Sequence, residues 1–180
     1  MSETGTTVTA PRLSSFVKAY DVRGVVGEQM TPAVARAFGW AFGRFVRAEA
    51  PSATGVVVAH DMRESSPELA SAFAQGVGST GLDTVFAGLA STDMLYFASG
   101  VLDLPGAMFT ASHNPARYNG IKLCMAGAAP ISLDTGLARV RDARRRSWTA
   151  RWSRRSCRRA RPRCATCSPT TPRTCTRWWT

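Results

Sequence analysis

After Asp142 the 180-residue sequence contains no acidic residue and no Leu, Ile, Val, Phe, Met or Gly. Without aliphatic residues, the last 38 positions cannot build a periodic apolar face. They hold twelve Arg, four of the five Cys and four of the five Trp. The formal net charge of +11 comes from 23 basic and 12 acidic residues. Positions 1–142 carry 11 of the bases and all 12 acids, so the whole excess belongs to positions 143–180. A uniformly basic domain, the usual footprint of a nucleic-acid partner, is thereby excluded. What remains is a near-neutral body followed by a segment of foreign composition.

Other absences narrow the class further. The body has one cysteine, Cys124, which excludes a disulfide framework there. No run of about 18 or more apolar residues exists, so no membrane-spanning helix is expected. Met1–Pro11 is polar and has no apolar stretch of the kind a secretory signal needs. A cytoplasmic protein is the expectation. Apolar residues nonetheless make up 44% of the chain, enough to build a core for one domain.

Residues 1–14 read as a disordered leader, and structure is expected from about residue 15 to residue 142. Thr31-Pro32 is a helix start, with Thr as cap and Pro in the first turn. Val34, Phe38, Ala41, Phe42 and Phe45 follow at three- and four-residue spacing, which predicts an amphipathic helix over roughly 32–48. Gly55–Ala59 is a β-branched run of the kind found in buried strands. Ser66-Pro67-Glu68 is read as the cap of a second helix with Leu69, Phe73 and Val77 on one face, ending at Gly78–Gly81. Further strands are predicted at 82–87, 106–110 and 120–125, a short helix at 92–99, and the first turns of another at 134–142. Strands alternating with helices argue an α/β fold, a three-layer α/β/α domain with a mostly parallel sheet. Trp40 and the Phe residues of the first helix are expected in its core. In such sheets chemistry collects past the C-terminal ends of the strands, here residues 60–67, 88–93 and 111–119.

Thr110-Ala-Ser-His-Asn-Pro115 followed by Tyr118-Asn-Gly-Ile-Lys122 carries the strongest local signal. Ser112 stands at a strand end in a turn closed by Asn114-Pro115. An exposed Ser with backbone N–H groups nearby suits a nucleophile or a phosphate carrier. Lys122 can offset negative charge on a transferring phosphoryl group if the chain folds back. The plain alternative is a simple turn, since Ser, Asn and Pro are all turn formers. A hydrolytic Ser-His pair is disfavoured: adjacent residues seldom meet as nucleophile and base, and no Gly-x-Ser-x-Gly surrounds Ser112. In Lys18-Ala-Tyr-Asp-Val-Arg-Gly24, Arg23 can hold a phosphate bidentately, or the segment is an ordinary surface turn with an Asp–Arg pair. In Ala59-His-Asp-Met-Arg-Glu64, Asp61 and Arg63 read better as an ion pair that orients a neighbouring loop than as catalysts. Cys124 reads as a small core residue.

Taken together and in this order, Lys18–Gly24, His60–Arg63 with Ser66-Pro67-Glu68-Leu69, Thr110–Pro115 and Tyr118–Lys122 resemble the first domain of the α-D-phosphohexomutases. Phosphomannomutases and phosphoglucomutases form that family. The resemblance spans about Phe16 to Asp142. It implies that Ser112 carries a phosphoryl group, gives it to a hexose monophosphate such as mannose or glucose phosphate, and regains the other phosphate of the bisphosphate formed. It further implies Mg²⁺ in contact with the phosphoserine, so that Ser112 serves the metal through its phosphate. His113 and Asn114 would shape the loop, and Lys122 and Arg23 would act near the transferred phosphate, Lys122 also helping to move the hydroxyl proton. Tyr20 and Asn119 would belong to the same phosphate-binding region. Phosphoryl transfer needs positioning and positive charge more than covalent chemistry from the protein.

The family uses four domains around one cleft. No Asp-Gly-Asp run, no Gly-Glu-x-Ser-Gly-His and no Arg-x-Ser-Gly-Thr occurs here, so metal ligands and substrate-selecting loops of the later domains are missing, and the chain alone is expected to have little mutase activity. Residues 143–180 admit three readings: translation out of frame after about Asp142, a basic arm for nucleic acid with Trp178 and Trp179 as stacking residues, or a zinc site on Cys157, Cys164, Cys167 and Cys175. Only Cys164-Ala-Thr-Cys167 has ligand-like spacing. Without aliphatic residues the segment is expected to be disordered. No membrane partner is expected, and nucleic acid is the lesser alternative to a hexose phosphate.

Overall fold

A computed structural model describes residues 21–149, with side chains described as far as Ala143. The leader at 1–14, Lys18, Tyr20 and positions 150–180 lie outside the described residues.

Thr31 begins the first helix as its sequence suggests. Its hydroxyl accepts from the Val34 N–H at 3.3 Å, and Pro32 needs no partner for an N–H it lacks. The helix, α1, runs Pro32–Glu49 and buries Val34, Phe38, Phe42, Phe45 and Val46 along one stripe. Trp40, on its flank, is half-buried against the same core. Helix α2 spans Ser66–Gly78 and turns Leu69, Ala70, Phe73 and Val77 to the same interior. Its N-cap is Ser65, not Ser66, and makes no side-chain cap bond, because the Ser66 hydroxyl is turned to Asp61; Pro67 lacks an N–H that would need a partner, and the Glu68 carboxylate suits the positive end of the helix dipole. The two helices approach closely because each offers a glycine at the crossing. A Cβ on Gly39 would stand 2.0 Å from the Phe73 carbonyl oxygen, and one on Gly76 would stand 2.0 Å from that of Arg36.

The strands are β1 (Val22–Val25), β2 (Gly55–His60), β3 (Asp83–Leu89), β4 (Gly106–Phe109), β5 (Tyr118–Met125) and β6 (Ala129–Pro130). Their order is β1-β5-β4-β2-β3, with β6 also on β5. β3, β2 and β4 are mutually parallel, joined by helical crossovers, while β5 pairs antiparallel with β4, β1 and β6. The sheet is therefore mixed, parallel on the β4-β2-β3 side and antiparallel on the β5-β1 side. The physical reason is the connection from β4 to β5: Thr110–Arg117 is too short for a helical crossover, so the chain must turn back on itself.

Strand alternation sorts the two faces. Val56, Val58, Ala107, Phe109, Ile121 and Leu123 pack with α1 and α2 in the main core. Val57, Ala59 and Met108 face the other way, toward Leu95 of helix α3 (Thr92–Leu102). Leu137 and Val140 bring helix α4 (Ala138–Thr149) to the main core beside α1. These are the three layers of the α/β/α fold. α4 starts later than its sequence suggests, since Leu133–Leu137 form a single π-type turn capped by Ser132, and it runs on past Asp142 to Thr149.

Two strands were not visible in the sequence pattern. Val22–Val25 is an edge strand rather than a surface turn; with only two apolar residues it carries no alternation long enough to recognise. β6 is two residues long and draws its pairing from β5 alone.

Candidate functional site

The C-terminal ends of β2 and β4 and the N-terminal end of β5 lie at one edge of the sheet, and the sequence motifs converge there. After Phe109 the chain leaves β4 through buried Thr110 and Ala111 and emerges at Ser112. Ser112 is exposed and has a left-handed backbone, φ 53°. Such a conformation is uncommon for a residue with a Cβ and persists only where the surroundings impose it. The Thr110 hydroxyl accepts from the Ser112 N–H at 3.0 Å, and the Asn114 N–H donates to the Ala111 carbonyl at 3.1 Å. The turn is thus closed from inside, leaving the Ser112 hydroxyl outside. His113 is exposed beside it, with Nδ1 at 3.4 Å from Oγ, the outer limit of a hydrogen bond.

Two cations approach the loop from the neighbouring strands. Asp21, Arg23 and Lys122 share one sheet face, because Val22 registers with Ile121 and side chains alternate on either side of that pair. Asp21 is 6% exposed, and one of its oxygens, Oδ2, meets both Arg23 Nε at 2.8 Å and Lys122 Nζ at 3.4 Å. Arg23 Nη1 then donates to Asn114 Oδ1 at 2.9 Å. Arg23, Lys122 and Asn114 are brought together through one carboxylate, with two positive charges against one negative. Asp21 was legible only as half of an Asp–Arg pair. That it also aligns Lys122, more than a hundred positions away, required the sheet register.

Asp61 and Arg63 form the ion pair their spacing suggests, Nε to Oδ2 at 3.3 Å. Asp61 Oδ1 accepts from the Arg63 N–H at 3.0 Å and from Ser66 Oγ at 2.6 Å, tying the end of β2 to the first turn of α2. Arg63 also reaches across to carbonyl oxygens of the 112–118 loop. Asn119 is fully buried: its Nδ2 donates to Ser65 Oγ at 2.7 Å and Ser66 Oγ at 2.9 Å, and its Oδ1 accepts from the Gly120 N–H at 2.7 Å. Its side chain therefore holds β5 to the start of α2, and both of its N–H donors are used.

Cys124 lies within β5, fully buried against Ser99 and Gly106, and burial pushes its thiol pKa up despite hydrogen bonds that favour the thiolate. It is a core residue, protonated and inert. Among the described residues no group of three or more His, Cys, Asp or Glu side chains is arranged to hold a metal ion, and no helix is long and apolar enough to cross a membrane.

This geometry has close relatives. The profile of the phosphoglucomutase/phosphomannomutase alpha/beta/alpha domain I matches residues 15–144. A phosphomannomutase of Vibrio cholerae is 40% identical over 124 residues, covering 68% of this chain and 27% of that protein. One of Klebsiella pneumoniae is 43% identical over 121 residues, covering 67% of this chain and 74% of its partner in the comparison. Among solved structures, a phosphoglucomutase/phosphomannomutase family protein of Burkholderia thailandensis aligns with a TM-score of 0.63 at 41% identity, over 72% of this chain and 30% of that one. The chain thus spans about a quarter of the length of the Vibrio relative, whose matched share is 27%.

Proposed function

Because this chain belongs to the phosphoglucomutase/phosphomannomutase family as its alpha/beta/alpha domain I, we propose that it is the phosphoryl-carrying domain of a phosphohexomutase, with Ser112 as carrier. The observation that carries this reading is the exposed Ser112, held in a left-handed turn on a loop tied through Asn114 to Arg23 and so to Lys122. In the forward half-reaction the phosphorus–Oγ bond of phosphoserine breaks as a hydroxyl oxygen of a hexose monophosphate bonds to phosphorus. The sugar hydroxyl's proton passes, with help from Lys122, to the departing Ser112 oxygen. In the return half-reaction Ser112 Oγ bonds to the other phosphorus of the bisphosphate as the bond from that phosphorus to the sugar oxygen breaks, and the Ser112 proton passes to the departing sugar oxygen. The spare positive charge of the Arg23–Asp21–Lys122 set lowers the energy of charge developing on the phosphoryl oxygens. Substrates are hexose phosphates of the mannose or glucose type.

Mg²⁺ in this family reading contacts the phosphoserine. The described residues do not make a metal site by themselves, so its carboxylate ligands come from elsewhere and no step here is assigned to it. With the sugar-selecting elements also outside the domain, the chain alone has little or no multiple-turnover mutase activity in this reading. The test is label transfer. Incubated with a hexose bisphosphate carrying radiolabelled phosphate, the wild-type chain retains label and Ser112→Ala retains none. Equal labelling of both chains, or sustained interconversion of hexose monophosphates by the chain alone, contradicts the reading.

A further inference from the structure

Arg63 has five N–H donors: the four on its terminal nitrogens make hydrogen bonds to the loop, and the fifth, on Nε, stands in an ion pair. Nη2 donates to the Ser112 carbonyl at 2.8 Å and to the Asn114 carbonyl at 2.7 Å. Nη1 donates to the carbonyls of Pro115 and Tyr118, both at 3.0 Å. Nε faces Asp61 Oδ2 at 3.3 Å. The side chain is only 13% exposed, and Asp61 is itself fixed by Ser66 and by the Arg63 N–H. A guanidinium whose four terminal donors are spent on loop carbonyls has no free Nη donor for a phosphate. It differs in this from Arg23, whose Nη1 holds a side-chain oxygen of the loop and whose charge stands beside Lys122.

We propose that Arg63 is the positioning residue of the Ser112 loop: it sets the backbone of Ser112, and through it the reach of the hydroxyl, without touching the substrate. The inference rests on the reading of Ser112 as phosphoryl carrier. The left-handed conformation of Ser112 is held from both sides. On the N-terminal side the Thr110 hydroxyl fixes the Ser112 N–H. On the C-terminal side Arg63 fixes the Ser112 carbonyl, and hence the ψ angle of that residue. Planar trans peptides put N–H opposite C=O, so drawing the carbonyls of Ser112 and Pro115 to one cation turns the N–H groups of His113 and Ala116 to the opposite side of the loop. The same guanidinium fastens the loop to the end of β2, because Asp61 follows that strand directly. A single rigid fork does this where a lysine cannot, since an ammonium offers three donors from one point.

The test uses the full chain with Arg63→Lys and Arg63→Met, read by residue-resolved amide exchange, by the Cα and Cβ chemical shifts of Ser112 and by label transfer from hexose bisphosphate. In both variants amides of 112–118 are expected to exchange at least about tenfold faster, as for a loop released to local opening, with the Ser112 shifts leaving the left-handed range while α1 and β2 stay protected. Label on Ser112 falls in parallel. Where Arg63→Met does not fold, Arg63→Lys, which keeps the charge, decides alone. Wild-type exchange and shifts in the folded variants overturn the proposal. A loop that loosens in the variants, in a chain whose wild type takes no label, keeps the clamp and defeats the carrier reading instead, so the two failures are distinct.

Discussion

At Ser112 stability and function pull apart. A left-handed residue with a Cβ stores roughly 1–3 kcal/mol that glycine would not. Ser112→Gly is therefore expected to raise the unfolding free energy by about 1 kcal/mol while removing the hydroxyl proposed to carry phosphate, and urea denaturation of the two chains checks the gain. Loss of stability on this change would mean that the turn draws more from the serine than its hydroxyl. Cys124 makes the opposite case, a reactive residue type kept silent. Burial holds its pKa above the ordinary value of 9.0. The folded state thus binds the proton more tightly than the unfolded one, and that stabilisation is complete below the unfolded thiol's pKa. It declines as the pH rises past that value toward the higher folded one. Peptide-level alkylation at neutral pH should find Cys124 unmodified until the chain unfolds, and rapid modification in native buffer would contradict its placement. The residue types at the site were legible in sequence, Ser112, Arg23 and Lys122 from their motifs and Asp61 with Arg63 as an ion pair. What sequence withheld was which partner each meets. Asp21 joins Arg23 to Lys122 only through strand register, and the Asn119 amide donates to Ser65 and Ser66 because β5 begins beside the start of α2.

At the level of elements, the helices announced themselves because their signals are local. Thr31-Pro32 and Ser66-Pro67 are start codes, and the spacing of Phe38, Phe42 and Phe45 is that of one helix face. Edge strand β1 did not, since its four residues depend on β5 for their pairing. Nor does a single sequence reveal that Gly39 and Gly76 are the crossing point of α1 and α2. Gly39→Ala would drive a methyl group into the Phe73 carbonyl. The helices must separate, at a cost of about 1–3 kcal/mol or more. Thermal unfolding of Gly39→Ala checks this, and an unchanged or raised melting temperature would contradict the close crossing, since alanine is otherwise the better helix former.

On the scale of the whole molecule, the +11 charge describes composition and not the domain. The folded body uses nearly balanced charge, and its cations at the site are set against Asp21 rather than spread over a surface. One face of α3 remains apolar and open, with Phe97 72% and Val101 66% exposed beside Met94 and Leu102. An exposed apolar helix face of this kind is what a domain of a larger assembly presents, in keeping with the 27% share of the Vibrio relative that this chain spans. In the proposed function Ser112, and no other residue, carries the phosphoryl group. Tandem mass spectrometry of the purified chain, before and after exposure to a hexose bisphosphate, tests it most directly. The expected result is phosphate on Ser112, raised by the donor and absent from Ser112→Ala; an unmodified Ser112, or phosphate on another residue that survives that substitution, rules out Ser112 as the carrier.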